Sequence, residues 1–330
     1  VEKVFVKHFG NPVLLQLDDS AVVDVPTVSS EPSLPAEQQP RIAFSTDSYV
    51  ISPLVFPGGD IGKLAVCGTV NDISMSGARP LWLSAGFIIE EGLPLADLEQ
   101  IVASMALTAE RAGVQIVTGD TKVVDRGSAD KLFINTAGVG MVPAGVAIAG
   151  DRARPGDAIL LSGTIGDHGM TIMTQREGLQ FDSPLESDCA ALNGLVAGLL
   201  EALPAGTLHC LRDPTRGGLA TALNELATRS GVGMEIKETS VPVREAVRAA
   251  CELLGLDPLY VANEGKLVAI VAPEAAGDAL ASLRAHRYGR EAVMVGQVVE
   301  AHPGRVVLRT ALGARRIVDM LVGEQLPRIC

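Results

Sequence analysis

The chain has 330 residues, of which 47% are hydrophobic, so it is long enough for two domains with sizeable cores. Its formal net charge of −12, without any basic stripe, argues against a nucleic-acid-binding protein. No run of about 18 apolar residues is free of charges and breakers, which argues against a membrane-spanning helix.

Five cysteines are spread along the chain without a C-x-x-C pair, and the fifth is the last residue, Cys330. This spacing is typical of a reduced, cytoplasmic protein and not of a disulfide framework or a zinc site. The first residues, Val1-Glu2-Lys3, do not have the pattern of a signal peptide. Cys330 joins a thiol and an α-carboxylate at the end of the chain, where it can enter an active site or be an idle terminus.

Strands and helices mix in the first half of the chain. Short strands are expected over 13–17 and 21–23, and a polar, Pro-rich loop over 27–40. Further along, the pattern predicts strands at 41–45, 49–56, 81–89, 114–117 and 132–142, a helix rich in small residues at 61–77, and an amphipathic helix at 94–111 that Gly113 ends.

Pro and Gly at 143–156 predict a domain boundary, after which the alternation resumes. We expect strands at 158–162, 266–272, 292–299 and 305–309, and helices at 188–203, 216–230, 242–254 and 273–286. The fold class is therefore α/β or mixed α+β. The predicted divisions are 1–148, 149–317 and a tail over 318–330.

Several aspartates have positions that suit a magnesium site. Three stand where strands stop or loops turn, one lies inside a predicted helix where aspartate is a poor helix former, and two more precede a strand. Mg²⁺ prefers such carboxylate oxygens together with substrate phosphates. The alternative is that each aspartate caps a turn or a helix. These residues are Asp47, Asp60 and Asp120, then Asp72, then Asp18 and Asp19.

The familiar phosphate-binding motifs are absent from the sequence. Gly62-Lys63 is followed by Leu64 and does not complete a P-loop, and Gly138-Val139-Gly140 does not continue as a dinucleotide fingerprint. Other residues offer a separate scheme: Lys122 can neutralise a phosphate, the turn at 213–218 can receive an anion at a helix start, and Glu264 can act as a base. A solvated lysine, a plain helix start and a turn charge are the respective alternatives.

Six segments together resemble the HypE family of hydrogenase maturation carbamoyl dehydratases. The resemblance covers nearly the whole chain. Single segments are shared with aminoimidazole ribonucleotide synthetase, selenophosphate synthetase and thiamine monophosphate kinase, whereas the terminal PRIC is specific. The segments are STDSYVISPLVFPGGDIGKLAVCGTVNDISMSGARPLWLS, TGDTKVV, SGTIGDHGM, RDPTRGGLATALNE, LDPLYVANEGKL and PRIC.

The resemblance implies a two-domain synthetase-superfamily fold. The N-terminal domain would bind ATP and dimerise through β-strands, the C-terminal domain would be α/β, and a mobile tail would end in Cys330. Such proteins usually carry a Gly-rich stretch near the N-terminus that helps to cover the nucleotide, and the sequence here starts at Val1 without one. The implied cofactors are ATP and Mg²⁺. The implied partners are a HypF-like carbamoyltransferase and a HypC–HypD iron-carrier complex.

The implied activity is the ATP-dependent dehydration of an S-carbamoyl group on Cys330 to a thiocyanate. Alternatives are a synthetase or kinase of the same superfamily that acts on a free small molecule, and a non-catalytic thiol carrier. The expected catalytic residues are Cys330, Glu264 and Lys122. The expected metal ligands are Asp47, Asp72 and Asp120, and the expected ATP contacts are Asp60, Lys63, Asn71, Thr118, Gly119, Asp213 and Arg216.

Overall fold

The computed structural model describes residues 7–25, 40–179, 184–321 and 329–330. These residues form two mixed α/β halves around a five-stranded and a seven-stranded sheet, with an additional two-stranded ribbon. Most of the tail predicted over 318–330 falls outside the described residues, which omit 322–328. No helix in the described ranges has both the length and the apolar character of a membrane span.

The first half contains the five-stranded sheet and two long helices. The segment predicted as a strand over 13–17 is instead a 3-10 turn at Leu14–Gln16, because the Asn11 side chain accepts hydrogen bonds from the N–H groups of Val13 and Leu14 and starts a turn. The elements are α1 (Lys7–Phe9), β1 (Ala21–Asp24), β2 (Arg41–Tyr49), β3 (Val55–Phe56), β4 (Gly59–Asp60), α2 (Ile61–Met75), β5 (Arg79–Glu90), α3 (Leu95–Ala112), β6 (Gln115–Val124) and β7 (Leu132–Val142).

The strand order of the first sheet is β1-β2-β7-β5-β6. Strands β5 and β6 are parallel, and the other neighbours are antiparallel. Helix α2 packs on β2 and β7, so alternate residues of those strands are buried. We call the opposite face, which carries exposed Phe44 and Trp82, the open face. Strand β6 forms one edge of this sheet.

Helix α2 is buried on nearly all sides because small residues let its neighbours come close. A Cβ on Gly68 would lie 2.2 Å from the Tyr49 hydroxyl oxygen, and a Cβ on Gly62 would lie 2.5 Å from the Ile101 carbonyl oxygen. The helix begins after Asp60, whose side chain accepts a hydrogen bond from the Lys63 N–H at 2.9 Å. Close packing therefore fixes α2 against β2 and α3.

The second half surrounds the seven-stranded sheet, whose order is β14-β13-β10-β12-β8-β11-β9. Short 3-10 turns at Glu238–Ser240, Pro258–Tyr260 and Pro273–Ala275 connect some of its elements. The elements are β8 (Ala158–Leu161), α4 (Asp167–Arg176), α5 (Asn193–Ala202), β9 (Leu208–Arg212), α6 (Gly218–Ser230), β10 (Gly233–Lys237), α7 (Glu245–Leu254), β11 (Val268–Val271), α8 (Ala276–Ala285), β12 (Val293–Val299), β13 (Val306–Arg309) and β14 (Arg315–Val318).

The connection before α5 joins the two halves. The helix predicted over 188–203 begins only at Asn193, because the side chain of Asn71, in the first half, hydrogen-bonds to the backbone of the preceding residues. The Asn71 side chain donates to the Ala190 carbonyl at 3.0 Å and accepts from the Leu192 N–H at 2.8 Å. The Ser187 N–H also donates to the Pro57 carbonyl at 2.9 Å. We call residues 187–192 the bridging loop.

Candidate active site

A small cavity lies between the two halves of the chain, around the end of the tail. Its volume of about 40 Å³ has room for a few water molecules but not for a nucleotide. Acidic side chains dominate its lining, and Arg216 is the one cation among the described residues that line it. The lining residues are Asp47, Ser48, Tyr49, Gly68, Asp72, Asp213, Thr215, Arg216, Glu264 and Cys330.

Three aspartates that are distant in the sequence converge beside this cavity. One carboxylate oxygen from each of Asp19, Asp72 and Asp213 lies within 4.8 Å of the other two. Asp19 precedes β1, Asp72 comes from α2, and Asp213 follows β9. Carboxylate oxygens from three separate parts of the chain are a donor set that Mg²⁺ prefers. We call these residues the aspartate cluster, and they fit a divalent cation.

Burial raises the pKa values of the aspartate cluster. It raises the pKa of Asp213 to about 6, although the charge of Arg212 lowers it. It also raises the pKa of Asp72 well above its usual value, and the charges of Asp213 and Asp19 add to that shift. The charged forms are therefore unfavourable when no cation is near. A divalent cation at this position would remove the repulsion that causes part of the shifts.

The structure brings two of the three predicted metal ligands together. Asp47 lines the cavity from β2, and Asp72 lines it from α2. Burial raises the pKa of Asp47 above its usual value, although the positive charge of Arg216 partly offsets this shift. Ser45 Oγ donates to Asp72 Oδ2 at 2.6 Å, which orients that carboxylate from the strand beneath α2.

Asp120 and Lys122 do not reach the cavity of their own chain. Both lie on β6, where Lys122 Nζ and Asp120 Oδ2 form an exposed ion pair at 2.9 Å. Strand β6 is three strands from β2, or about 14 Å at the usual spacing. The register also separates the side chains: Asp120 is level with Asn135 on the open face, whereas Asp47 is level with Thr136 on the α2 face.

Glu264 presents a buried carboxyl group to the cavity. It is 3% exposed, and its Oε1 atom has no hydrogen-bond partner among the described residues. Burial raises its pKa well above the usual value, and the charges of Asp213 and Asp188 add to the shift. Its backbone is fixed, because its N–H donates to Asp188 Oδ1 at 3.1 Å and the next residue, Gly265, has no room for a Cβ. Such a carboxylate is a good proton acceptor in a dry site.

The last residue of the chain, Cys330, lies inside the cavity. The Val50 N–H donates to the Cys330 backbone oxygen at 3.0 Å, and the thiol shares the cavity lining with the Arg216 side chain. Burial and, to a smaller extent, the charge of Glu264 raise the pKa of this thiol to about 11, although Arg216 lowers it. The sulfur is therefore uncharged in this position. An uncharged sulfur suits a group that holds a substrate better than a group that attacks one.

Two of the predicted ATP contacts, Asp213 and Arg216, line the cavity, and the others lie outside it. Asp60 caps α2, and Lys63 Nζ donates to the Gly58 carbonyl at 2.6 Å. Asn71 is buried and holds the bridging loop. Thr118 and Gly119 lie on β6, where they share the exposed strand with Asp120. Within one chain, the predicted ATP contacts therefore do not form a single site.

Sequence reasoning did not assign a role to Tyr49 or to His168. The Tyr49 hydroxyl lies 3.4 Å from Asp47 Oδ2, and His168 Nε2 lies 2.6 Å from the Ile329 carbonyl oxygen. Both residues are buried. The signal for His168 was its place in the glycine-bounded string SGTIGDHGM before a helix, but its partner in the tail cannot be inferred from that string.

Both halves of the chain are similar to known protein families. Residues 17–142 match the N-terminal domain of AIR synthase related protein, and residues 154–309 match its C-terminal domain. Carbamoyl dehydratase HypE of Azotobacter vinelandii is 57% identical over 330 residues, covering 100% of this chain and 93% of that protein.

Solved structures are similar over nearly the full length as well. The structure of hydrogenase maturation protein HypE in complex with ATP has a TM-score of 0.85 at 55% identity, covering 99% of this chain and 94% of that one. The HypE–HypF complex gives a TM-score of 0.88 at 48% identity, covering 97% of this chain and 99% of that one. The resemblance given by the six segments is therefore confirmed.

Proposed function

This chain belongs to the HypE family of carbamoyl dehydratases, and on that premise we propose that it dehydrates an S-carbamoyl group carried by its own Cys330. The reaction consumes ATP and leaves a thiocyanate on the sulfur. That thiocyanate is the cyanide donor for the iron centre of [NiFe] hydrogenase. The observation that carries this proposal is the place of Cys330 in one cavity with Glu264 and two aspartates of the cluster.

Dehydration of a primary amide removes one oxygen and two protons. Bound Mg–ATP supplies a phosphoryl group to the amide oxygen, so that the oxygen leaves as phosphate instead of as hydroxide. Asp19, Asp72 and Asp213 would hold the cation, with Asp47 close to it. The Glu264 carboxylate accepts one proton from the amide nitrogen, because its Oε1 atom has no hydrogen-bond partner among the described residues, and the second proton leaves with the phosphate.

Arg216 and the tail contribute position rather than proton transfer. The Arg216 side chain lines the cavity together with Asp47 and Cys330, so it can hold the carbamoyl group beside the aspartate cluster. Because the substrate is covalently attached, its delivery to the cavity is intramolecular. The cavity of about 40 Å³ has room for only a few water molecules beside the reacting group.

A homodimer would complete the site. The open face of the first sheet exposes large apolar side chains, with Trp82 49% and Phe44 45% exposed, together with Ile88 and Met141. An apolar patch beside an edge strand such as β6, which has a neighbouring strand on one side only among the described residues, is typical of a protein interface. Asp120 lies on this open face and Lys122 lies two residues further along β6. We therefore expect them to act on the nucleotide bound at the second copy.

The proposed partners follow from the family and from Cys330. A HypF-like carbamoyltransferase loads the thiol, in agreement with the similarity to the HypE–HypF complex, and a HypC–HypD complex receives the cyanide. Magnesium is the proposed cation. The described cysteines are all free, which agrees with a cytoplasmic location.

Intact mass spectrometry tests the proposal directly. The mass of the chain loaded with an S-carbamoyl group should fall by that of one water on addition of Mg–ATP. With a non-hydrolysable ATP analogue, the mass of the loaded chain should not change. Cys330→Ala should accept no carbamoyl group but should still bind Mg–ATP. A loaded chain that hydrolyses ATP without any loss of water would rule the dehydratase proposal out, and a chain that does not bind Mg–ATP would favour a thiol carrier.

A further inference from the structure

We propose that His168 is a positioning residue that holds the tail in the active site through the carbonyl group of Ile329. We call His168, Ser187 and the Ile329 carbonyl the tail latch. This role rests on the proposed function in one respect only, namely that the tail must be held by the tail latch during the dehydration step. The contacts themselves do not depend on the reaction.

The first contact of the tail latch joins His168 to the tail. His168 Nε2 lies 2.6 Å from the Ile329 carbonyl oxygen, and the imidazole is fully buried. A carbonyl oxygen can only accept a hydrogen bond, so Nε2 must carry the hydrogen. This hydrogen bond satisfies a buried backbone acceptor that lies one residue from the reacting sulfur.

The second contact fixes which nitrogen carries that hydrogen. His168 Nδ1 lies 2.7 Å from Ser187 Oγ, which accepts a hydrogen bond from the Cys189 N–H at 3.1 Å. In a neutral imidazole with its hydrogen on Nε2, Nδ1 accepts from the Ser187 hydroxyl. His168 is also the second residue of α4, and the N-terminal end of a helix disfavours a positive charge. The bridging loop therefore sets the tautomer that binds the tail.

Packing fixes the plane of the ring. Phe56 contacts His168 edge to face, with ring centroids 5.5 Å apart and an angle of 84° between the planes. On the tail, Ile329 is 5% exposed and forms an antiparallel bridge with Ile51. His168 therefore holds the Ile329 carbonyl, strand pairing holds the backbone on either side of it, and the next side chain, Cys330, lines the cavity with Arg216. A group that holds a substrate this closely positions it for reaction.

Two substitutions of His168 separate the contacts of the tail latch. Gln extends as far as the Nε2 position and can still donate to Ile329, whereas Asn reaches only the Nδ1 position and keeps the contact with Ser187 alone. We therefore expect His168→Asn to release the tail and His168→Gln to keep it largely in place. Ser187→Ala removes the hydroxyl that sets the tautomer, and should give an intermediate effect without touching the tail.

Alkylation of Cys330 measures the release in the full-length chain. The other cysteines, Cys67, Cys189, Cys210 and Cys251, are buried, so iodoacetamide should label Cys330 first. Since one neutral hydrogen bond changes an equilibrium by about 3- to 10-fold, we expect His168→Asn to react about that much faster than the parent and His168→Gln to stay within about 2-fold. Equal rates for the parent and a folded His168→Asn would overturn the proposal. So would a Ser187→Ala variant that reacts no faster than the parent.

Single-turnover dehydration gives the second measurement. With S-carbamoylated chains, His168→Asn should lower the rate of water loss, because the carbamoyl group is held less closely, and should leave the half-saturating ATP concentration unchanged. A weakened ATP affinity with an unchanged rate would contradict a positioning role. The alkylation result does not need any dehydration, so failure of the tail latch and failure of the proposed function are distinguishable.

Discussion

At the scale of single residues, the buried carboxylates govern how this site responds to pH and to metal. Asp213 has a pKa of about 6 in the folded chain, above the usual 3.8. A raised carboxyl pKa stabilises the fold below pH about 4, and this contribution is lost as the pH rises through about 6. The aspartate cluster should therefore destabilise the metal-free protein at pH 8 and leave it more stable near pH 5.

We expect magnesium to offset this loss. Mg²⁺ in millimolar excess should raise the melting temperature by a few degrees at pH 8 and by much less at pH 5, because protons compete for the same oxygens. Asp213→Asn should raise the metal-free melting temperature at pH 8 and remove the response to Mg²⁺. Differential scanning calorimetry at the two pH values checks both. An equal Mg²⁺ response at pH 5 and pH 8 would be incompatible with a metal site at these carboxylates.

Glu264 is the residue on which the proton transfer depends. Glu264→Gln keeps the size of the side chain but cannot accept the amide proton, so the rate of water loss should fall by at least about 100-fold. Carbamoylation of Cys330 by the partner enzyme should persist, because it does not use this carboxylate. Rapid-quench mass spectrometry measures both steps. A variant that dehydrates within about 3-fold of the parent would show that another group is the base.

At the scale of elements, the close packing of α2 supports the site. Gly68→Ala would place a methyl group 2.2 Å from the Tyr49 hydroxyl, so Tyr49 and β2 must shift. We expect a loss of about 1–3 kcal/mol in the free energy of unfolding. Gly277→Ala, in α8, is the matched control: nothing lies within 4 Å of its added Cβ, so it should be neutral or slightly stabilising. Urea unfolding compares the two, and an equal effect would contradict the packing argument.

The sequence predicted most elements because their patterns are local. The amphipathic helix expected at 94–111 is α3 (Leu95–Ala112), and the left-handed Gly113 ends it as expected. The helix expected at 188–203 begins later, at Asn193. The reason is that Asn71, more than a hundred residues away in the sequence, hydrogen-bonds to the backbone of the bridging loop. A contact at that sequence distance leaves no local pattern in the segment that it reshapes.

The same reasoning applies to the site. Asp47 and Asp72 were predicted to lie close together, and they line one cavity. Asp120, predicted as a metal ligand together with Asp47 and Asp72, does not lie beside them within one chain, because its position depends on strand order and on which face each side chain takes. Strand ends can be recognised in a sequence, whereas the order of the strands follows from the whole fold.

At the scale of the whole molecule, the open face predicts a dimer with shared sites. Trp82→Asp should convert the proposed dimer to a monomer, because it places a charge in the apolar patch of the open face. Sedimentation velocity measures the change. Leu312→Asp is a suitable control, since Leu312 is 98% exposed and lies in the second half. A Trp82→Asp protein that remains dimeric would place the interface elsewhere.

Mixed dimers test whether the sites are shared. Asp120→Asn and Asp72→Asn chains should each be inactive alone. If Asp120 serves the second copy, each mixed dimer has one complete site, and random mixing should restore about a quarter of the activity. If Asp120 serves its own chain, each site in a mixed dimer carries one of the two substitutions, and mixing should restore none.

The central claim is that the chain converts the carbamoyl group on Cys330 to a thiocyanate inside the cavity that Glu264 lines. Infrared spectroscopy of a chain loaded with ¹³C-carbamoyl measures this most directly. We predict that a nitrile band emerges only with Mg–ATP, shifts to lower frequency with the ¹³C label, and is missing from Glu264→Gln and Cys330→Ala. Consumption of ATP by the loaded chain without any labelled nitrile band would contradict the claim.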